Sequence, residues 1–269
     1  MSSFAMFMHL VKSSISLVFD NLGAVFKVVS AWFLVQLAVA LAFVVVLALF
    51  AGNPAGSPFL LTATAMSVVG ALVGLVAASS IAVAWHRFGL LGEQPPAVNL
   101  RFGGLELRFA LKSLVITIGF GVAYAIAGGI GMVTGSTVIM SVLVLAVAIV
   151  LIPIVFRVSL VLPATAVEET LGFKEAYEAG KGLGWWMVLA TLALALPFAI
   201  ATGILQFALG LLDGALPLVI VMAKAAAINL LMQMIMTVLA LSVLTNGYKL
   251  AKEGDRSQPD VAGSAGAPA

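Results

Sequence analysis

Long apolar runs separated by short polar segments dominate the hydrophobic pattern of this chain. Six runs reach the roughly 20 residues that a helix needs to cross about 30 Å of hydrocarbon. They predict membrane spans at 25–50, 60–85, 111–133, 138–162, 185–212 and 216–248. Gly and Pro occur freely within the runs, as they do in helical rather than barrel spans. We therefore predict an all-α polytopic membrane bundle of six transmembrane helices in three hairpins.

Residues 2–22 show a different pattern, because their apolar positions recur at helical spacings while polar residues occupy the opposite face. A helix of this kind lies in the membrane interface rather than across it. The segments 94–108 and 168–181 are also interpreted as interfacial, and the three segments with the helix ends that join them are called the collar. The predicted units are an interfacial helix at 1–24, a transmembrane domain at 25–253 and a disordered tail at 254–269, which is rich in Gly, Ser, Pro and Ala. The apolar positions of the first helix are Phe4, Phe7, Met8, Val11, Ile15, Val18, Phe19 and Leu22.

Composition supports the membrane class and narrows the chemistry. Only 9% of the residues are charged and 63% are hydrophobic, whereas a soluble domain is roughly 25% charged. The chain has no cysteine, which excludes disulfides, iron–sulfur clusters and thiolate zinc sites, and it has two histidines, His9 and His86, in different segments. We therefore expect no cofactor, no metal site and no nucleic-acid partner.

The basic residues predict the orientation of the bundle. Every lysine and arginine except Lys224 falls on the side of the two termini, whereas the opposite connections at 51–59, 134–136 and 213–216 contain none. Under the positive-inside rule both termini are cytoplasmic. The predicted location is the bacterial inner membrane.

One short stretch, 84–93, gathers an imidazole, a guanidinium and a carboxylate, from His86, Arg87 and Glu93. Together with Arg157, Glu168 and Glu169 from the next hairpin, these groups could act as acid and base or bind a phosphate. The sequence has no P-loop, no G-x-S-x-G elbow and no H-E-x-x-H motif. We favour anchoring at the interface, and predict that the collar contacts lipid headgroups or partner proteins through His86, Arg87, Glu93, Arg157 and Lys181.

A second set of polar residues lies inside the predicted spans. Lys224 sits roughly 10 Å below the outer edge of the sixth span at 1.5 Å per residue, Asn229 and Gln233 follow it on one face, and Gln206 lies on the neighbouring span. They could form an intramembrane polar track for a solute. Alternatively, the lysine extends outward and meets Asp213.

Two stripes of small residues, Gly70/Gly74/Ala78 and Gly121/Ala125/Gly129, favour close helix packing. Such packing can lie within the bundle or between copies of the chain. The sequence does not distinguish these two partners.

The segments Trp85 to Glu93, Leu100 to Arg108 and Arg157 to Glu168 with Gly180-Lys181-Gly182 resemble uncharacterised six-span inner-membrane proteins of alphaproteobacteria. These are similar to YciC-like proteins and to the membrane domain found beside glycerophosphodiester phosphodiesterases. The resemblance implies topology and location, and no activity. Our leading hypothesis is a non-enzymatic membrane protein that packs with phospholipids, with other membrane proteins or with itself through the collar. The alternative is a small-solute transporter or channel that uses the polar track.

Overall fold

The computed structural model describes residues 3–50 and 57–256. Within these ranges the chain is helical, and six helices are long and apolar enough to cross a membrane. The predicted all-α bundle of six apolar helices is thus confirmed. The helices are α1 (Ser3–Phe19), α2 (Leu22–Leu49), α3 (Ser57–Leu91), α4 (Gly104–Val133), α5 (Thr137–Val158), α6 (Val161–Ala166), α7 (Phe173–Ala179), α8 (Gly184–Gly210) and α9 (Leu218–Arg256), with a 3-10 turn at Asp213–Ala215.

Several helix ends differ from the predicted limits, and local hydrogen bonds explain where α4 and the interfacial α7 begin. α4 begins seven residues before the predicted third span because the Glu106 carboxylate accepts a hydrogen bond from Gly103 N–H at 2.8 Å, which satisfies a free amide of the first turn. A carboxylate also suits the positive end of the helix dipole. Glu175 caps α7 in the same way through Gly172 N–H. Part of the predicted 94–108 connector is therefore the first turn of a long helix.

The last helix continues beyond the predicted sixth span. α9 extends through Arg256, so its last residues fall within the segment that was predicted as a tail. The remaining tail residues, 257–269, and most of the outer connection at 51–59 lie outside the described residues. A helix of this length projects past one bilayer crossing or tilts within it.

α9 is the central helix of the bundle. In its most apolar window 39% of the residues are buried, compared with 17% or less in the other five candidate spans. One buried cluster joins α1, α6, α8 and α9 through residues such as Leu10, Val161, Met187 and Val243. A second cluster joins α2, α3 and α9 around Trp85 and Val238. Both clusters lie largely toward the collar end of the bundle, while the opposite halves of α4, α5 and α8 expose apolar side chains.

α1 crosses the collar ends of several spans instead of running alongside them. The ring of Phe7 lies 6.5 Å from that of Trp186 at the start of α8, Ser14 meets Asn246 near the end of α9, and Leu17 lies beside Gly89 near the end of α3. Residues along one helix thus reach three different spans in turn. This geometry suits an interfacial helix, and its position in a bilayer stays a prediction.

The apolar stripe predicted for α1 divides into two arcs. Val18 of the stripe is buried against the bundle beside Leu10 and Ser14, which the predicted stripe did not include, whereas Phe4, Ile15 and Phe19 are exposed. The polar residues form a third arc. One arc therefore attaches the helix to the bundle and leaves a second apolar arc free for contact with lipid.

Candidate functional site

A layer of buried polar residues joins α3, α9 and α1 at the collar end. Trp85 Nε1 donates to Ser242 Oγ at 2.9 Å, and Asn246 Nδ2 donates to Ser14 Oγ at 3.2 Å. Residues 242, 245 and 246 lie on one face of α9 because they are three and four positions apart. These hydrogen bonds satisfy polar groups that would otherwise be costly to bury, so the layer fixes the register between helices.

His86 belongs to this layer and is fully buried. Its Nδ1 lies 2.8 Å from Thr245 Oγ1. The Thr245 hydroxyl donates its proton to Leu241 O at 2.7 Å, so the hydrogen-bond network assigns the imidazole proton to Nδ1, which donates to the threonine oxygen. Nε2 then carries the lone pair and has no hydrogen-bond partner in the described chain.

The structure therefore corrects the prediction that His86 contacts headgroups or partners. The side chain faces the interior and lies beside the ring of Phe109, with ring centroids 6.0 Å apart. No hydrogen bond joins it to Glu93 within the described residues, although the two are close in sequence. His86 is consequently a packing residue of the α3–α9 contact.

Arg87 points the other way and ties the end of α3 to the segment after α6. Its Nε and Nη2 atoms donate to both oxygens of Glu93, at 2.8 and 2.7 Å. Nη1 donates to Ala166 O at 3.0 Å and approaches Glu168 at 3.5 Å. The expected approach of Glu168 to Arg87 from the next hairpin is confirmed. The hydrogen bonds of the guanidinium thus go to groups of the chain itself.

Arg87 lowers the pKa of the Glu93 carboxylate. The hydrogen bonds from Arg87 hold the pKa of Glu93 below its ordinary range, against a smaller opposing effect of burial.

Glu168 has φ of 61°, a left-handed conformation that is uncommon for a residue other than glycine. It follows the last turn of α6, a position at which a left-handed residue commonly ends a helix.

Arg157 is also engaged internally. Its Nε and Nη2 atoms donate to Tyr177 O at 3.0 and 2.6 Å, and its guanidinium carbon lies 3.6 Å from the centroid of the Tyr177 ring. This combination of a forked hydrogen bond and a cation–π contact holds α7 against the end of α5. Arg157 and Arg87 thus hold segments of the collar together through internal contacts. Lys181, in contrast, is exposed and has no carboxylate partner among the described residues.

The sequence interpretation missed contacts that hold the short helices to the spans. Lys112 Nζ donates to Thr165 Oγ1 at 2.9 Å, and Tyr248 OH donates to Glu169 Oε2 at 2.6 Å. Lys252 forms an ion pair with the same carboxylate. These pairs join residues 53 to 83 positions apart in the chain, so no local pattern identifies them.

The predicted polar track separates into two local contacts on the outside of the helix pair. Gln206 Nε2 donates to Asn229 Oδ1 at 3.0 Å, and both residues are exposed, as is Gln233. Lys224 pairs with Asp213 and donates to Leu209 O at 3.0 Å. The alternative of an outward ion pair is therefore confirmed, and the four residues do not line an enclosed passage.

The small-residue stripe on α4 has no partner in the described chain. Gly121, Ala125 and Gly129 are exposed, and a Cβ atom at either glycine would meet nothing within 4 Å. Gly131, two residues further on, instead touches Met140 of α5. Close packing of the α4–α5 hairpin therefore uses a glycine outside the predicted stripe.

One polar residue that the sequence interpretation passed over is Gln36, in the middle of α2. It lines a partly open cavity of about 230 Å³ between α2 and α3 that is bounded by Leu230 of α9. Its side-chain amide has no hydrogen bond to another residue of the described chain. A single amide within an otherwise apolar run was the signal that could have identified it.

Comparison with protein-family models, with curated proteins and with solved structures found no match for this chain. The resemblance to six-span inner-membrane proteins therefore stays a prediction from the residues that carry it. What the chain does must be inferred from its own side chains and contacts.

Proposed function

We propose that this chain is a non-enzymatic protein of the bacterial inner membrane whose collar binds anionic phospholipid headgroups. The observation that carries the proposal is the division of α1 into a bundle-facing arc, an exposed apolar arc and a polar arc that contains Lys12. Such a helix places apolar side chains into the acyl region and a base at headgroup level. Both termini are proposed to face the cytoplasm, where anionic headgroups attract basic residues.

Several exposed lysines at the collar end are available for this contact. Lys12, Lys27 and Lys181 have no carboxylate partner among the described residues, in contrast to Lys252. Lys27 follows the exposed Phe26, and Lys181 precedes the exposed Trp185 by four residues. A base beside an exposed aromatic side chain is typical of the level where headgroups meet hydrocarbon.

The absence of catalysis is part of the proposal and rests on how the polar residues are used. General acid–base catalysis requires a positioned group within hydrogen-bond reach of a substrate. His86 is enclosed in the α3–α9 contact, and Arg87 is held by Glu93 and the segment after α6. These groups are therefore better explained as structural contacts than as a reaction centre.

Native mass spectrometry tests the lipid preference. The protein is released from nanodiscs of equal phosphatidylglycerol and phosphatidylcholine content, and the ratio of the two bound lipids is measured. Each lysine near an anionic surface contributes about 1 kcal/mol, so the triple variant Lys12→Gln/Lys27→Gln/Lys181→Gln is expected to lower the preference by up to roughly 100-fold. Lys224→Gln removes a charge at the opposite end and is the control.

An unchanged lipid ratio in the triple variant would refute the proposed collar contact. Recovery of a stoichiometric membrane protein with no lipid preference would instead assign the collar to protein packing. A monomer that carries neither lipid nor partner would exclude both. The transporter alternative is not adopted, because the residues of its track lie on the exterior of α8 and α9.

A further inference from the structure

We infer that the cavity beside Gln36 binds the ring of a neutral isoprenoid lipid of the quinone type. The inference does not depend on the proposed collar function, because the cavity lies in the spans. Its walls are apolar side chains of α2, α3 and α9, and its polar groups are the Gln36 amide and the Ser67 hydroxyl. Gln36, Val39, Ser67, Gly70 and Leu230 are among the residues that line it.

The depth of the amide limits the class of ligand. Gln36 lies about 21 Å from Leu22 and about 20 Å from Leu49 along α2, at 1.5 Å per residue. It is therefore near the middle of the span, beyond the reach of the ester groups of a phospholipid, which sit at the interface. Water is scarce at this depth, and an amide without a partner there is costly. The expected occupant carries its own oxygen to the middle of the bilayer.

The hydrogen-bonding groups of the cavity suit a ring with carbonyls. The Gln36 amide offers two N–H donors and one acceptor. The Ser67 hydroxyl donates to Ala63 O at 2.8 Å, so its oxygen remains free only to accept. A quinone can accept from the amide, and its reduced form can also donate to the amide or serine oxygen. A quinone ring carries its oxygens on opposite edges, so it is not held at the interface as a lipid with one polar end is. Its isoprenoid tail is apolar, and the whole molecule can therefore enter the bilayer interior.

The dimensions suit the ring alone. A cavity of about 230 Å³ is smaller than the roughly 300–1,000 Å³ of sites that enclose a whole drug-sized ligand. The partly open side lets the tail leave between α2 and α3. Gly70 contributes to the space because it lacks a side chain, and a Cβ there would lie 4.0 Å from Val39.

Binding of decylubiquinone to the full chain in detergent tests the inference, with saturable quenching of tryptophan fluorescence as the readout. Gln36→Leu keeps the size of the side chain and removes the hydrogen bond, and is expected to weaken binding about tenfold. Gly70→Leu fills the cavity and should abolish saturable binding. Gly74→Leu lies one turn further along α3, outside the lining, and should bind as the unmodified chain does.

Competitor lipids distinguish the occupants. Squalene, which has no oxygen, and phosphatidylglycerol should fail to displace the quinone. Equal displacement by either would assign the cavity to any acyl or isoprenoid chain and overturn the inference. Absence of saturable binding, or equal affinity of the unmodified chain and Gln36→Leu, would also overturn it. A protein mass of twice 27.7 kDa that Gly70→Leu reduces to one copy would assign the surface to dimerisation instead.

Discussion

The hydrogen bond between Trp85 and Ser242 allows a quantitative test of how the buried polar layer stabilises the bundle. Both side chains are fully buried, and the indole N–H donates to the serine oxygen at 2.9 Å across 157 residues of sequence. The Ser242 hydroxyl donates its own proton to Val238 O at 2.7 Å. Ser242→Ala therefore leaves the indole N–H buried without a partner, whereas Trp85→Phe removes that donor altogether.

The two substitutions should not be additive. A buried donor that loses its partner costs about 1–3 kcal/mol, so Ser242→Ala is expected to destabilise the unmodified chain by that amount. In the Trp85→Phe background there is no indole N–H to leave unsatisfied, and Ser242→Ala should cost little more than the loss of its bond within α9. The expected coupling free energy is about 1–2 kcal/mol.

Unfolding by SDS in mixed micelles, followed by far-UV circular dichroism, measures the four free energies. Ser113→Ala is the matched control, because Ser113 donates to a carbonyl of its own helix, Ala110 O at 2.9 Å, and accepts from no other described side chain. It also corrects for the higher helix propensity of alanine. Additivity within about 0.5 kcal/mol would refute the idea that this contact couples α3 to α9.

Three further predictions concern the hairpin and the collar. Gly131→Ala should lower stability by about 1–3 kcal/mol in the same assay, because its Cβ would meet the backbone of α5, whereas Gly129→Ala meets nothing and should not lower stability, since alanine has the higher helix propensity. Arg157→Lys loses the forked hydrogen bond and the ring contact, so limited proteolysis should cut the segment around α7 faster, while Arg101→Lys should have no effect. The lowered pKa of Glu93 predicts stability that is present above its unfolded pKa, near 4.5, and lost as the pH falls through the lower folded value. Melting temperatures from pH 6 to pH 3 should show this loss in the unmodified chain and a smaller one in Glu93→Gln; equal profiles would contradict it.

Most of the residues predicted to contact lipid or partners from the collar make internal contacts instead. A sequence does not distinguish a side chain that anchors a helix at the membrane interface from one that packs or hydrogen-bonds within the bundle. An aromatic and a base at the end of a span are typical of interfacial anchors, and Trp85 and Arg87 fit that pattern. In the folded chain Trp85 is buried in the core, and Arg87 bonds to Glu93 and to the carbonyl of Ala166. Only Lys181, of the five predicted contact residues, is left exposed without a carboxylate partner among the described residues.

Hydropathy alone determined the number of apolar helices and their approximate limits, because the length and apolar character of a span are local properties of the chain. Helix starts at α4 and α7 were also readable in principle, since Glu106 and Glu175 stand three residues after the amides that they cap. The uneven distribution of lysine and arginine between the two sides of the bundle predicts its orientation in the membrane. These features need no knowledge of which helices are neighbours.

Tertiary structure decided what each polar or apolar side chain faces. In α1 the bundle-facing arc adjoins the exposed apolar arc, so the pattern placed Val18 and Phe4 in one stripe, and only packing against α8, α9 and α3 separates the buried Val18 from the exposed Phe4. The partners of His86 and the cavity beside Gln36 depend on the rotation and register of helices that are distant in sequence. In a chain this apolar, almost every helix face can be buried or exposed to lipid at similar cost, so interhelical contacts, rather than hydrophobicity, select the faces.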